Sequence, residues 1–218
     1  MNTATLEPPI GLSGIEFKPD PILSPEVRES RDLTTLRDWC LERANEWYKM
    51  GLHGPARDFL RHATDIDPRN ASAWIALGSL HFEMAVYDEA GLAFHHAAQL
   101  EPTNARIYLH LALTHEKLGH LELAEGLYDH ALKLSPASSL ALSLTGNFHM
   151  NRKHFDRARP CYEQLLQQRP DDIDVLLRLG VCNYRIGDTS TARECFERVL
   201  RIQPANETAR ENLDVMKV

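Results

Sequence analysis

Residues 71–104 read ASAWIALGSLHFEMAVYDEAGLAFHHAAQLEPTN, and this stretch decides the fold. Within it, Ala90 and Phe94 lie four positions apart, and Pro102 stands near the end. The same skeleton returns every 34 residues throughout residues 37–206. A fixed period of this length is typical of supersecondary units that stack on one another. The sequence therefore predicts a repeat protein.

Three columns of residues recur at this period, and each has a physical cause. We expect alanine where the second helix of a unit crosses the first, because a larger side chain would push the two helices apart. Proline ends the second helix, and the residue two places later caps the next helix. The columns are Ala56, Ala90, Ala124, Ala158 and Ala192, then Pro68, Pro102, Pro136, Pro170 and Pro204, then Asn70, Asn104, Ser138, Asp172 and Asn206.

The turn inside each unit falls at a position that glycine suits best. Gly51, Gly119 and Gly187 stand there in three of the units, where a left-handed backbone is expected. Ala85 and Lys153 stand at the same position in the other two units, so we expect local strain there. Each unit is thus predicted to be a helix–turn–helix.

The pattern resembles the tetratricopeptide repeat family, through Trp74, Leu77, Gly78, Ala90 and Phe94 in the best copy. The resemblance implies an all-α fold, a right-handed α-solenoid of five helix-turn-helix repeats closed by a C-terminal capping helix. The implied repeats span 37–70, 71–104, 105–138, 139–172 and 173–206 within a solenoid of residues 33–206, and the capping helix spans 207–218.

Residues 1–32 differ in composition from the repeats and are predicted to form an extended N-terminal arm. Five prolines in the first 25 residues oppose regular structure. Apolar residues such as Phe17 and Leu23 are interspersed, so two interpretations stay open: a disordered leader, or an arm that docks on its own solenoid or on a partner. Ser24, followed by Pro25, marks a possible helix start.

The bulk composition excludes several classes of protein. The chain has 218 residues, a formal net charge of −7 and no run of basic residues, which disfavours binding to nucleic acid. No apolar stretch approaches the roughly 20 residues that span a bilayer, so we expect no membrane insertion. The four cysteines form no CxxC motif and are expected to be buried, reduced thiols of a cytoplasmic protein. They are Cys40, Cys161, Cys182 and Cys195.

No catalytic, cofactor-binding or metal-binding motif stands out, and we predict that the protein is not an enzyme and uses no cofactor. His81, His115 and His149 share one position in three successive repeats. We expect them to be amphipathic core residues, and a metal or pH-sensing ladder is the alternative. His115 and His120 are expected to share no face, because Gly119 breaks the helix between them.

In the absence of a catalytic motif, the sequence favours a function based on a binding surface. In the architecture that the resemblance implies, the first helices line a concave groove, and its predicted floor is apolar with polar residues between. The predicted partner-binding residues are Asn45, Tyr48, Lys49, Ile75, Ser79, Phe82, Arg106, Leu109, Leu113, Glu116, Asn147, Met150, Val181 and Tyr184.

We expect this groove to hold an apolar protein or peptide segment, extended or helical, with Tyr48, Phe82 and Tyr184 as aromatic anchors. The predicted function is a protein–protein interaction scaffold or adaptor. Two alternatives remain at this stage. The chain could be a fixed subunit of a multi-subunit complex with its N-terminal arm on a neighbour, or it could self-associate as a homo-oligomer through the groove.

Overall fold

The computed structural model describes residues 33–216, which contain eleven α-helices and no strand. Helices α1, α3, α5, α7 and α9 are the first (A) helices of the five repeats, α2, α4, α6, α8 and α10 are the second (B) helices, and α11 is the capping helix. Their bounds are α1 Leu33–Lys49, α2 His53–Ile66, α3 Ala71–Glu83, α4 Tyr87–Leu100, α5 Ala105–Lys117, α6 Leu121–Leu134, α7 Ser139–Asn151, α8 Phe155–Gln168, α9 Ile173–Ile186, α10 Thr189–Ile202 and α11 Glu207–Val215.

The capping column behaves as the sequence predicts. Each of its five side chains accepts a hydrogen bond from a backbone N–H in the first turn of the following helix. Asn70, for example, accepts from the amide of Ala73 at 2.8 Å, and Asn206 from that of Ala209 at 2.9 Å. These bonds satisfy amides that have no partner within their own helix. The repeat boundary is therefore set by local chemistry.

The turns within the repeats confirm the predicted backbone. Gly51, Gly119 and Gly187 have φ values of 75°, 79° and 93°, all in the left-handed region. Ala85 and Lys153 adopt the same conformation, with φ values of 58° and 63°. This conformation carries a steric cost for a residue with a Cβ, so these two turns are strained as expected.

The two helices of a repeat cross closely at the alanine column, whose members are all fully buried. In the fifth repeat, a glycine on the A helix also packs directly against an aromatic ring of the B helix. A Cβ at Gly180 would lie 2.7 Å from the ring of Phe196, which is itself fully buried. The ring thus occupies the space that a side chain would need, and this allows the helices to pack tightly.

The core is continuous from one repeat to the next. Leu142 of α7, Tyr162 of α8 and Leu179 of α9 belong to one cluster, so the fourth and fifth repeats share their buried surface. At the end of the array, Ala209 of α11 is buried against Leu176 and its neighbours. The described chain is therefore an all-α solenoid of helical repeats, because each unit buries its apolar face only by stacking on others.

The predicted N-terminal arm of residues 1–32, with its possible helix start at Ser24, lies outside the described residues. All four cysteines are buried, as predicted, and none forms a disulfide within the described residues. Within residues 33–216, no helix combines the length and the apolar character needed to cross a membrane.

Candidate functional site

In the middle of the array the A helices of neighbouring repeats lie side by side, since α5 contacts both α3 and α7. The pairs α1–α3 and α7–α9, like neighbouring B helices, make weaker contact or none within the described chain. The hydroxyl of Tyr48 on α1 also donates a 2.9 Å hydrogen bond to Glu83 on α3. Side chains that leave the A helices on the side away from the B helices therefore form one surface, called here the A-helix face.

The structure places most of the predicted site residues at least partly in contact with solvent. Asn45, Tyr48, Lys49, Arg106 and Tyr184 are exposed. A second group is half-buried and forms the floor between them: Ile75, Ser79, Phe82, Leu113, Glu116, Asn147, Met150 and Val181. Because these residues are half-buried, part of their surface can contact a partner while the rest is held by the repeats.

The prediction for Leu109 is wrong. Only 3% of this residue is exposed, because it packs in a cluster with Tyr128 and Phe148 of the next elements along the array. Sequence reasoning also missed Leu140, which is 52% exposed and borders a cleft of about 400 Å³ together with Arg106. Leu140 stands at the same position of its repeat as Arg106, so the periodicity alone was sufficient to find it.

The three aromatic anchors differ in how far the fold already uses them. Tyr48 is 43% exposed, and its ring stacks on His53 at a centroid distance of 5.8 Å. Its hydrogen bond to Glu83 raises the pKa of the phenol. Phe82 is half-buried and meets Tyr87 edge-on at 5.3 Å. Tyr184 is 37% exposed, so the two tyrosines are the anchors most available to a partner.

Two of the polar site residues are partly engaged within their own repeats. Asn147 Oδ1 accepts a 2.8 Å hydrogen bond from the hydroxyl of Tyr162, and Glu116 accepts one of the same length from Tyr128. Burial, followed by the bond to Glu116, raises the pKa of Tyr128. Asn147 therefore keeps its amide N–H groups for a partner, while the Glu116 carboxylate is oriented by the fold.

The histidine column lies between the helices, as predicted. His149 is buried and His81 and His115 are half-buried, and burial lowers the pKa of all three. His115 and His120 share no helix face, as predicted, because α5 ends at Lys117. Their rings nevertheless come into contact, with the two Nδ1 atoms 3.3 Å apart, because the left-handed turn at Gly119 folds the chain back. No group of three or more potential metal ligands occurs among the described residues.

Comparison with known proteins agrees with the fold. Profiles described as "Tetratricopeptide repeat" match residues 105–138 and 146–214. The chain belongs to the tetratricopeptide repeat family. A search of curated proteins finds no match.

Solved structures share the architecture. The chain is 18% identical to the MamA protein, with a TM-score of 0.68, covering 76% of this chain and 90% of that one. It is 22% identical to YrrB, described as a tetratricopeptide repeat protein with an unusual peptide-binding site, with a TM-score of 0.65 and coverage of 82% and 91%. A tetratricopeptide repeat protein from Parabacteroides merdae gives 17% identity, a TM-score of 0.71 and coverage of 83% and 72%. At these identities the likeness concerns the fold.

Proposed function

We propose that this protein is a non-enzymatic interaction scaffold that holds an apolar segment of a partner protein on its A-helix face. The observation that supports this most is the pair of exposed tyrosines, Tyr48 and Tyr184, at the two ends of a half-buried apolar floor. The apolar residues of the floor between them are Ile75, Phe82, Leu113, Met150 and Val181. An apolar strip of this kind on a folded surface is typical of an interaction site.

The floor is built to bind without much rearrangement. Its side chains are held in place by the repeats beneath them; Phe82, for instance, packs against the cluster that contains Phe94. Ordering such residues on binding costs little conformational entropy, so more of the contact energy appears as affinity. The exposed tyrosines at the ends suit the role of anchors, because tyrosine is enriched among the residues that dominate binding energy.

Polar groups border the apolar floor and suit the recognition of a peptide backbone. Asn45 and Lys49 are exposed beside Tyr48, Ser79 is half-buried, and the amide N–H groups of Asn147 remain available. An extended segment presents a carbonyl and an N–H at every residue, which such side chains pair with. The partner is therefore an extended or helical segment whose apolar side chains meet the floor.

Two further points belong to this proposal. The structural neighbour YrrB has a peptide-binding site, which favours a peptide as the occupant here. The four cysteines are buried and form no disulfide among the described residues, which suits a reducing compartment, so we propose that the protein is cytoplasmic and acts there as an adaptor.

A titration with a partner segment tests the proposal. After the partner is isolated from the native source by co-purification, its segment is titrated into the full chain and into the double variant Tyr48→Ala/Tyr184→Ala. We expect the double variant to bind at least tenfold more weakly, as for a pair of anchors. The matched control is Leu92→Ala, because Leu92 is 65% exposed on a B helix.

The melting temperature of each variant accompanies the titration. Both tyrosines and Leu92 are exposed, so all variants should melt as the parent does. Unchanged affinity in the double variant, or an equal loss in Leu92→Ala, would remove the A-helix face as the site. Sedimentation at increasing concentration addresses the alternative in which the occupant is a second copy of the chain. Binding that depends on the two tyrosines but occurs without any other protein would establish self-association.

A further inference from the structure

A cleft separate from the A-helix face lies between the third and fourth repeats. It is an open cleft lined by the B helices α6 and α8, with α7 as its floor, and it has a volume of about 420 Å³. Pockets that bind small molecules usually measure roughly 300–1,000 Å³, so this cleft is large enough for one. Its apolar walls are Leu132, Pro136, Leu142 and Pro160.

Two buried polar groups of α7 line the cleft and have no hydrogen-bond partner for one of their atoms within the described chain. These atoms are Oγ1 of Thr145, a residue that is 1% exposed, and Nδ1 of His149, which is 2% exposed. They lie one helical turn apart and hence on the same face of α7. Leaving a buried polar group unpaired destabilises the folded protein, so such a pair calls for an explanation.

Thr114 is a buried threonine whose hydroxyl does have a hydrogen-bond partner. Thr114 is fully buried like Thr145, but its hydroxyl donates a 2.7 Å hydrogen bond to the backbone carbonyl of His110. A threonine in a helix normally has this bond available. Thr145, which lines the cleft, lacks this bond.

The charged groups around the cleft are predominantly acidic. Asp129, Asp156 and Arg157 all line it. Arg157 is already neutralised, because it forms ion pairs with Glu125 and, at 3.5 Å, with Asp129. Asp156 is exposed and makes no ion pair within the described residues. The rim thus keeps a negative charge that attracts a cation and repels an anion.

We propose that this cleft binds a small aromatic amine. The ring suits the leucine and proline walls, and a ring N–H or hydroxyl suits the unpaired atoms of Thr145 and His149. The ammonium group is attracted by the carboxylate of Asp156. This cleft is separate from the A-helix face. The proposed binding of a partner protein on the A-helix face does not depend on the amine.

Tryptamine is the probe for the test, with indole-3-acetate as its counterpart of similar ring and opposite charge. Calorimetric titration into the full chain should give saturable one-to-one binding of tryptamine and at least tenfold weaker binding of indole-3-acetate. Asp156→Asn should weaken tryptamine binding about fivefold or more. Asp88→Asn is the matched control, because Asp88 is exposed at the equivalent position of the second repeat, and it should bind as the parent does.

Thr145→Val separates a ligand site from a merely structural role. It removes the hydroxyl and keeps the shape, so we expect tighter folding of the free protein, seen as a raised melting temperature, together with weaker tryptamine binding. A lowered melting temperature with unchanged tryptamine binding would overturn the proposal. So would equal binding of tryptamine and indole-3-acetate, or loss of binding in Tyr48→Ala/Tyr184→Ala, which would place the amine on the A-helix face.

Discussion

The hydroxyl of Tyr48 donates a 2.9 Å hydrogen bond to Oε1 of Glu83 and so joins the A helices of the first two repeats. Both side chains are exposed, and the bond crosses the A-helix face. The tyrosine ring is thus oriented at one end of the proposed binding surface, while part of its surface remains open to a partner.

Replacing Tyr48 by phenylalanine should separate this orienting role from stability. Tyr48→Phe removes the hydrogen bond but keeps the ring, and because both partners are exposed, water replaces the lost bond. We expect the midpoint of urea unfolding, followed by circular dichroism, to stay within error of the parent. A clearly lower midpoint would mean that the bond holds the first two repeats together.

The close approach of Gly180 to Phe196 predicts a large effect for one added methyl group. In Gly180→Ala the new Cβ would lie 2.7 Å from the ring of Phe196, which is fully buried, so the ring or the helix must shift. Overpacking of this kind costs about 1–3 kcal/mol. We expect a corresponding loss in the free energy of unfolding measured with urea.

Gly126→Ala is the control for this change. Gly126 is exposed in α6, and a Cβ added there would have no atom of another residue within 4 Å beyond its chain neighbours and its own helix backbone. Alanine should therefore stabilise the helix by about 0.5–1 kcal/mol through its better helix propensity. If both variants lose stability equally, the cost at Gly180 does not come from the contact with Phe196.

Lys153 occupies a left-handed turn that glycine fills in other repeats. Its φ of 63° is costly for a residue with a Cβ, so Lys153→Gly should stabilise the protein by about 1 kcal/mol. The reverse change, Gly119→Ala at a φ of 79°, should destabilise it by a similar amount. Thermal unfolding of both variants checks the sign. A loss of stability in Lys153→Gly would show that the turn is not strained.

The buried histidines predict a pH dependence. Burial lowers the pKa of His149 despite the nearby carboxylates of Asp129 and Asp156. The unfolded chain then takes up a proton near the ordinary pKa of about 6.5 that the folded chain does not. Stability from this group is therefore present above about pH 6.5 and is lost as the pH falls. The pKa of His81, His110 and His115 is lowered in the same direction.

We expect the free energy of unfolding to fall between about pH 7.5 and about pH 5.5, and His149→Gln to show a smaller fall. His62→Gln is the control, since His62 is exposed on α2, and it should keep the slope of the parent. Urea unfolding at a series of pH values measures the slopes. Identical slopes in all three proteins would mean that His149 does not contribute.

The sequence predicts features that arise from local chemistry. A capping residue such as Asn70 and a turn residue such as Ala85 act within a few positions of the chain, and the period of 34 residues places them in every unit. The fold class follows because the repeated helix pair has no way to bury its apolar face alone. These inferences needed no knowledge of how repeats sit on one another.

The candidate site depends on that relation between repeats, and there the prediction was partly wrong. Leu109 and Leu140 are both apolar residues on A helices, yet one is 3% exposed and the other 52%. Leu140 shares the repeat position of the exposed Arg106, whereas Leu109 packs in a cluster with Phe148 of the following repeat, a contact that no single repeat encodes. His115 and His120 are similar, because their contact results from the path of the turn at Gly119 and not from helix periodicity.

Site-specific photocrosslinking in the native source tests the central proposal most directly. Benzoylphenylalanine is placed at Tyr184 on the A-helix face, and in a separate protein at Leu123, which is 50% exposed on the B helix α6. We predict one discrete protein adduct from the position of Tyr184, abolished by an excess of the protein without the crosslinker, and no such adduct from that of Leu123. The same adduct from both positions, or an adduct from Leu123 alone, would contradict partner binding on the A-helix face.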